Sequence, residues 1–313
     1  MKGMQLSWEY YITYGGQMLQ EEFPELMDQI AVGLIGSGSE CFGYDDEIST
    51  DHDFEPGFGI FIPGEEVMDS KTAFQLERAY SKLPKEYKGY ERSLVNPVGG
   101  MRHGVIRTDE YLMSRLGNKT GELSIKEWLT VPENSILEVI NGEIFYDGYG
   151  QLTKVREALA VMPEDIRRKK LAGQLLTMAQ AGQYNYYRSV KRGDTGAAQM
   201  AAYEFVKSGI HVVYLLNKKY TPYYKWAFRG MRDLEILSEL AEPFEYLIST
   251  GNDEKEAGKK SNTIEEAAGA IIAELKKQGL SEADCGDLEK HAYSVNDSIK
   301  DTDIRYLNIF AGV

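Results

Sequence analysis

Two aspartates one residue apart, Asp51 and Asp53, open an apolar run that continues through Phe54, Phe58, Ile60, Phe61 and Ile62. Carboxylates at that spacing on a strand point to the same face. Such a pair suits a hard divalent cation, Mg²⁺ or Mn²⁺, usually shared with phosphate oxygens. An acidic pair beside an apolar run is costly unless it is paired or metal-bound. About a dozen residues upstream, Gly36-Ser37-Gly38-Ser39 follows directly on a second apolar run, Ile30-Ala31-Val32-Gly33-Leu34-Ile35. A Gly-Ser turn offers backbone N–H groups and a hydroxyl to phosphates. Gly38 and Ser39 are therefore candidate phosphate contacts, although Ser39 also suits an ordinary turn. Together the two segments suggest nucleotidyl transfer from an NTP. Between them, Asp45-Asp46-Glu47 supplies either extra metal or acceptor ligands or a solvated acidic turn. His52 would face away from its two neighbours, which favours a packed or exposed role over metal ligation.

These side chains need a sheet to hold them. The run 30–35 predicts a buried strand that ends at the Gly-Ser turn, and 53–62 predicts a second strand stopped by Pro63-Gly64. Apolar residues at helical spacing predict a helix over 7–22, and Pro24 opens a short one over 24–29. A helix is expected over 65–83, a third strand over 104–107 and a short helix over 109–116. Asn141-Gly142 between two apolar stretches predicts a hairpin over 136–146. From Leu152 onward the pattern is helical, with helices expected over 152–161, 164–182, 184–192, 195–217, 221–228 and 231–247. Pro163 and Asp194-Thr195 mark breaks or caps. The polar, glycine-containing stretch 249–262 predicts an exposed loop, followed by helices over 263–278 and 281–291. The apolar residues of 304–310 suit a docked helix. The fold class expected is α+β, a mixed sheet with helices over 1–150 followed by an α-helical bundle over 151–313.

The composition narrows the possible functions. The chain has 313 residues, is 42% hydrophobic and 27% charged, and fits a soluble globular protein of two domains. No run of 18 apolar residues suggests a membrane span, and the first residues lack an apolar signal-peptide core. Cys41 and Cys285 show no metal or disulfide spacing, which fits a reducing cytoplasm. A net charge of −14 argues against an extended nucleic-acid surface but leaves room for a small basic pocket. No Walker A, zinc motif or serine-hydrolase elbow is present.

The string from Gly38-Ser39 through Gly43 to Asp51-His52-Asp53-Phe54 resembles the signature of the DNA polymerase β-like nucleotidyltransferase superfamily. The longer run 38–53 looks like one branch of it, the DUF4037 family. Tyr184-Asn185-Tyr186, Arg192-Gly193-Asp194 and the stretch 216–226 are similar to that family's helical half. The resemblance implies a nucleotidyltransferase fold and two-metal chemistry, with Asp51 and Asp53 holding Mg²⁺ against the phosphates of an NTP, ATP being the expected one. It also implies a third carboxylate near the strand at 103–108. That strand, His103-Gly104-Val105-Ile106-Arg107-Thr108, carries no acid; Asp109 and Glu110 follow it.

The helical half contributes a local basic-aromatic cluster. Tyr184, Arg188 and Arg192 share a helix face, and Lys218 and Lys225 flank Tyr220, Tyr223, Tyr224 and Trp226. A helical domain closing over the nucleotide, as the resemblance implies, would use Lys225 first and Lys218 second as triphosphate contacts, with Arg188 and Tyr184 beside them. The alternative is an aromatic interface with its lysines reaching solvent. His211, among apolar neighbours, suits a core or interface position, and His103 and His291 show no metal spacing. The leading expectation is Mg²⁺-dependent transfer of NMP, AMP foremost, to a hydroxyl-type acceptor on a small molecule or a protein. The missing strand acid motivates a second: a sensor or antitoxin-like module that binds nucleotide with little or no turnover. A third, an interaction protein using its tyrosine-rich surface, requires no nucleotide affinity.

Overall fold

The chain begins as one continuous helix: α1 (Gly3–Tyr10), a π-helical turn (Tyr11–Gly15) and α2 (Gly16–Glu22). The computed structural model describes residues 1–51, 54–92 and 102–313; of Thr50 and Asp51 it describes the backbone. A 3₁₀ turn (Pro24–Gln29) leads into strand β1 (Ala31–Leu34), and the Gly-Ser turn into the short helix α3 (Ser39–Phe42). A second 3₁₀ turn (Ile48–Asp51) precedes β2 (Gly59–Ile62), helix α4 (Ser70–Lys82) and a small ribbon of β3 (Glu86–Tyr87) and β4 (Tyr90–Glu91). Then come β5 (Gly104–Arg107), α5 (Thr108–Leu116), α6 (Ile125–Thr130), α7 (Glu133–Ile140), β6 (Glu143–Asp147) and α8 (Gln151–Ala160). The fold class is α+β.

Two compact units result: residues 1–123 with 135–161, and residues 124–134 with 162–313. The first holds a mixed four-stranded sheet in the order β5-β2-β1-β6. β1 runs antiparallel to β2, pairing Gly33 with Gly59, and to β6, pairing Leu34 with Glu143; β2 runs parallel to β5, pairing Gly59 with Gly104. β1 and β2 are buried at every position, so both read as unbroken apolar runs, as strands covered on both faces do. Tyr10, Leu19, Val32, Phe58, Ile60, Ile62 and Leu76 form the core on one side of the sheet. Phe58 is wedged edge-on between the Tyr11 and Tyr80 rings, at 5.4 and 5.1 Å. That wedge uses the gap left by Gly15, where a Cβ would overlap the Phe58 ring.

The second unit is helical. α9 (Glu164–Met178), a π-helical stretch (Ala179–Tyr186) and α10 (Tyr187–Lys191) run on as one helix. The chain reverses at Gly193 (φ 72°) into α11 (Thr195–Leu216), capped by Asp194, whose carboxylate accepts from the Ala197 N–H at 2.9 Å. Helices α12 (Tyr224–Arg232), α13 (Ala241–Ser249), α14 (Glu254–Lys277), α15 (Leu288–Asp297) and α16 (Thr302–Arg305) complete it. Leu175, Phe205, Val212, Phe244, Ile271 and Val295 centre the core. No helix among the described residues is long and apolar enough to cross a membrane.

Several elements differ from the expectations, each for a local reason. The hairpin over 136–146 is instead the end of α7, a turn and β6. Ile136, Val139 and Ile140 already hold helical spacing, and the Arg156 guanidinium caps the helix end by donating to the carbonyls of Val139, Ile140, Asn141 and Gly142 at 2.8–3.3 Å. The loop over 249–262 shrinks because Asp253 caps α14, accepting from the N–H groups of Lys255 and Glu256, and Ala257, Lys260 and Ile264 turn inward at helical spacing. The helix over 231–247 is interrupted, with Leu237 in the left-handed region (φ 58°) ahead of a 3₁₀ turn, Ser238–Leu240. The helix over 281–291 starts later, at Leu288, where Asp287 caps it. Of the strand expected over 53–62, the described residues 54–62 form a strand only at Gly59–Ile62, and Asp51 ends a 3₁₀ turn.

Candidate functional site

The strand pairings gather one end of the sheet. The carboxyl end of β1 meets the amino ends of β2, β5 and β6. The Gly-Ser turn, the approach to β2 at 54–58, the approach to β5 at 102–103 and the turn Asn141-Gly142 therefore converge there.

The turn itself is held by its backbone. Gly36 takes a conformation (φ 117°) that favours glycine, and the Asn141 amide brackets it, accepting from the Gly36 N–H at 2.9 Å and donating to the Gly36 carbonyl at 2.6 Å. Asn141 is fixed in turn by the Arg156 cap and by the Gly142 N–H, which donates to the Cys41 carbonyl at 3.0 Å. Ser39 opens α3, and Gly43 (φ 71°) ends it. The N–H groups of Ser37, Gly38, Ser39 and Glu40 find no acceptor among the described residues, nor does the Ser39 hydroxyl. Donors grouped in this way at the start of a helix suit an anion.

A Cβ on Gly38 would meet the Arg102 guanidinium and the Glu40 carboxylate, the movable ends of two side chains packed against the turn. These two form a buried ion pair directly against the turn. Beside it, Glu55 and His103 pair at 2.7 Å, both largely buried, and Gly57 leaves room for the imidazole. Cys41, one residue beyond Glu40, is buried; burial first, and the neighbouring Glu40 charge second, push its thiol far above the usual range. It is no nucleophile near neutral pH.

The acidic run 45–47 is built into the structure at its first two positions. The Asp45 carboxylate accepts from the Gly3 N–H at 2.8 Å at the start of α1 and lies 3.2 Å from the Lys2 ammonium. Asp46 closes a turn, accepting from the N–H groups of Ile48 and Ser49 and from the Ser49 hydroxyl, and the Ser49 contacts hold its carboxyl below the usual range. His52 and Asp53 lie outside the described residues, as does the Asp51 side chain. Among the described residues, no three His, Cys, Asp or Glu form a metal-binding group. β5 carries no acid. Asp109 and Glu110 follow Arg107, which pairs with Ile62 at the opposite end of the sheet from Gly104, and Asp109 pairs with Lys119 at 3.1 Å. Among the described residues, the acids at this end of the sheet include Glu40, paired with Arg102, and Glu55, paired with His103. Their strand-end positions, with those of Arg102 and Asn141, depend on register across distant segments, and no local spacing announces them.

Residues 128–227 match the family model of a domain of unknown function, DUF4037. No curated protein matches the chain. The DUF4037 match runs from Trp128 to Ala227. It takes in Tyr184, Arg188, Lys218 and Lys225 and begins well after the Gly-Ser turn and the 38–53 run. All four of these residues are exposed, in the helical unit. Arg188 stacks on the Tyr184 ring at 4.6 Å, near a cleft of about 470 Å³ that Tyr184 lines with Gln180, Gln183 and Asp287. Lys218 sits at the other end of α11 in a left-handed conformation (φ 55°) usually given to glycine, where the Lys219 N–H donates to the Tyr214 carbonyl. It lines a different cleft, of about 620 Å³, with Arg168 and Lys277. The length of α11 between them, 22 residues, is about 33 Å, so Arg188 and Lys218 do not share one nucleotide. Lys225, in α12, lies over the Trp226 ring at 5.0 Å.

The DUF4037 stretch also contains a buried carboxylate. Glu133 accepts from the Thr221 N–H at 2.9 Å, with Lys170 at 4.0 Å and His211 at 3.8 Å. Burial pushes its carboxyl up, but His211, Lys170 and the Thr221 N–H outweigh burial and leave it below the usual range. His211 thus has a charged partner on one side. His291 is structural, bonding Ser281 at 2.8 Å and the Cys285 carbonyl at 3.0 Å.

Proposed function

We propose that the sheet unit binds an NTP, ATP foremost, at the carboxyl end of β1, and that the protein transfers NMP from it to a hydroxyl-type acceptor on a small molecule or a protein. The observation that carries this reading is the Gly-Ser turn at the carboxyl end of β1, where the N–H groups of 37–40 and the Ser39 hydroxyl have no acceptor among the described residues and Arg102 lies against Gly38. The nucleotidyltransferase superfamily membership and fold suggested by the sequence belong to the same proposal.

The donor chemistry of two closely spaced carboxylates fits Mg²⁺. Asp51 and Asp53 would hold it, and the bound ion would neutralise phosphate charge and polarise the phosphorus centre. The remaining work falls to this chain's own groups. The N–H groups of Gly38 and Ser39 and the Ser39 hydroxyl donate to phosphate oxygens. Arg102 places a cation against the same turn, moderated by Glu40. Asn141 keeps the turn in its donating shape.

A specific observation favours binding without turnover as the second reading: β5 carries no carboxylate, Asp109 and Glu110 sit at the far end of the sheet, and Glu40 and Glu55 are each paired. Incubation with α-labelled NTP and Mg²⁺ separates the two. Release of pyrophosphate or self-labelling, lost in Asp51→Ala plus Asp53→Ala, supports transfer. Mg²⁺-dependent binding with no release supports the sensor. Binding and release unchanged in the double variant contradict both.

A further inference from the structure

The tip of the long helical hairpin carries a feature that nucleotidyl transfer does not use. In a chain with 49 acidic residues, the 28 residues from Ile166 to Gly193 contain none. At the end of this stretch Tyr184, Tyr187, Arg188, Lys191 and Arg192 lie on one side of the helix, since positions three and four apart are neighbours. Both tyrosines are more than half exposed, at 58% and 51%. Two Tyr-to-cation steps repeat in register: Arg188 over Tyr184 at 4.6 Å and Lys191 over Tyr187 at 4.4 Å. Among the described residues no carboxylate pairs with Arg188, Lys191 or Arg192, whereas Lys207, Arg232, Lys259 and Lys276 in the same unit each have one. A helix end favours cations by its dipole, which accounts for charge near Gly193 but not for two solvent-facing rings beside it. The helix is π-wound over Ala179–Tyr186, through Tyr184 where this face begins, a geometry that accumulates at functional sites.

We infer that this face binds a short single-stranded nucleic acid, its bases stacking on Tyr184 and Tyr187 and its phosphates meeting Arg188, Lys191 and Arg192. Single strands are held by such interleaved rings and cations. The complementarity is local, so the overall charge of −14 limits the site to a few nucleotides and makes binding sensitive to salt. This assignment stands independently of the NTP site.

The test is fluorescence anisotropy of the full chain with a fluorescein-labelled single strand of about ten nucleotides, across a salt series. Three phosphate contacts predict a slope of log K against log salt of about −2 for a single strand. Tyr184→Ala plus Tyr187→Ala should weaken binding by about tenfold or more with the slope retained, because stacking is lost and charge is kept. Arg188→Ala plus Arg192→Ala should flatten the slope by about 1.4. All four positions are exposed, and unchanged melting of the variants shows that the fold persists. Absence of binding at low salt overturns the inference. So does binding that the tyrosine variant leaves unchanged, or equal affinity for a duplex or a poly-glutamate peptide. Asp51→Ala plus Asp53→Ala, which removes the proposed Mg²⁺ ligands, leaves single-strand binding at the parent level, so failure here is distinct from failure of the proposed nucleotide site.

Discussion

Buried charge is handled differently at the sheet end and at two lysines of the helical unit. At the sheet end, Arg102 faces Glu40, cation against anion, and the His103 imidazole faces the Glu55 carboxylate. In the helical unit, the ammonium groups of the fully buried Lys169 and Lys260 hydrogen-bond to neutral oxygens. Lys169 donates to the Asn296 side chain and to the carbonyls of Arg305 and Leu307 at 2.7–3.1 Å, and Lys260 to the side chains of Gln199 and Asn252 and the carbonyl of Thr250 at 2.7–3.2 Å. An ammonium has three donors, and each lysine uses all three on neutral oxygens. Such a knot ties chain segments together and leaves nothing to exchange. An ion pair laid against a turn of unpaired N–H groups can re-partner when a polyanion arrives. The comparison therefore separates a structural use of buried charge from one that can serve a ligand.

The sharpest way to break this comparison is to remove one member from each arrangement. Arg102→Met strands Glu40 without its cation and is expected to lower the stability of the sheet unit by about 4 kcal/mol in urea denaturation. Adding Glu40→Leu should restore most of it, because both charges are then gone. Lys260→Met should lower the stability of the helical unit by about 3 kcal/mol by orphaning its acceptors. No second side-chain change should rescue it, since the Thr250 carbonyl belongs to the backbone. Rescue of Lys260→Met by an apolar neighbour, or failure of rescue at Glu40, would erase the distinction.

Two smaller effects sharpen it. Asn141→Ala removes both bonds to Gly36 and is expected to cost about 2 kcal/mol in melting of the sheet unit, with weaker Mg²⁺-ATP binding. Glu133, a buried anion that the helical unit pairs, carries a pH signature. Its carboxyl lies below the ordinary glutamate value, so its contribution is present above the unfolded pKa of about 4.3 and is lost as pH falls through the lower folded value. The helical unit should lose about 1 kcal/mol across that acid window. Glu133→Gln, which faces the same Lys170, His211 and Tyr220, should flatten the loss.

The sequence makes continuous apolar runs legible. β1, the helices over 3–22 and 195–216 and the Gly-Ser turn all lie close to where periodicity and turn chemistry put them. It hides what depends on distant partners. Nothing near Asn141-Gly142 reveals that Arg156 will cap the preceding helix and turn an expected hairpin into a helix and a strand. The polar stretch after Ser249 resembles a loop until Lys260 is seen donating inward to three oxygens. The same holds at the site. Gly38 and Ser39 announce themselves by type, whereas Arg102, Glu55 and Asn141 reach the turn only through strand register. The distance between Arg188 and Lys218 is set by the length of α11, which residue type does not convey.

Hydrogen exchange with and without Mg²⁺-ATP tests the central claim most directly. If the Gly-Ser turn holds a triphosphate, the amides of 36–42 should exchange more slowly on addition of Mg²⁺-ATP. The segment 48–58 should slow with them, while the Lys260 knot in α14 stays unchanged. Unaltered exchange at 36–42 under saturating Mg²⁺-ATP would contradict it.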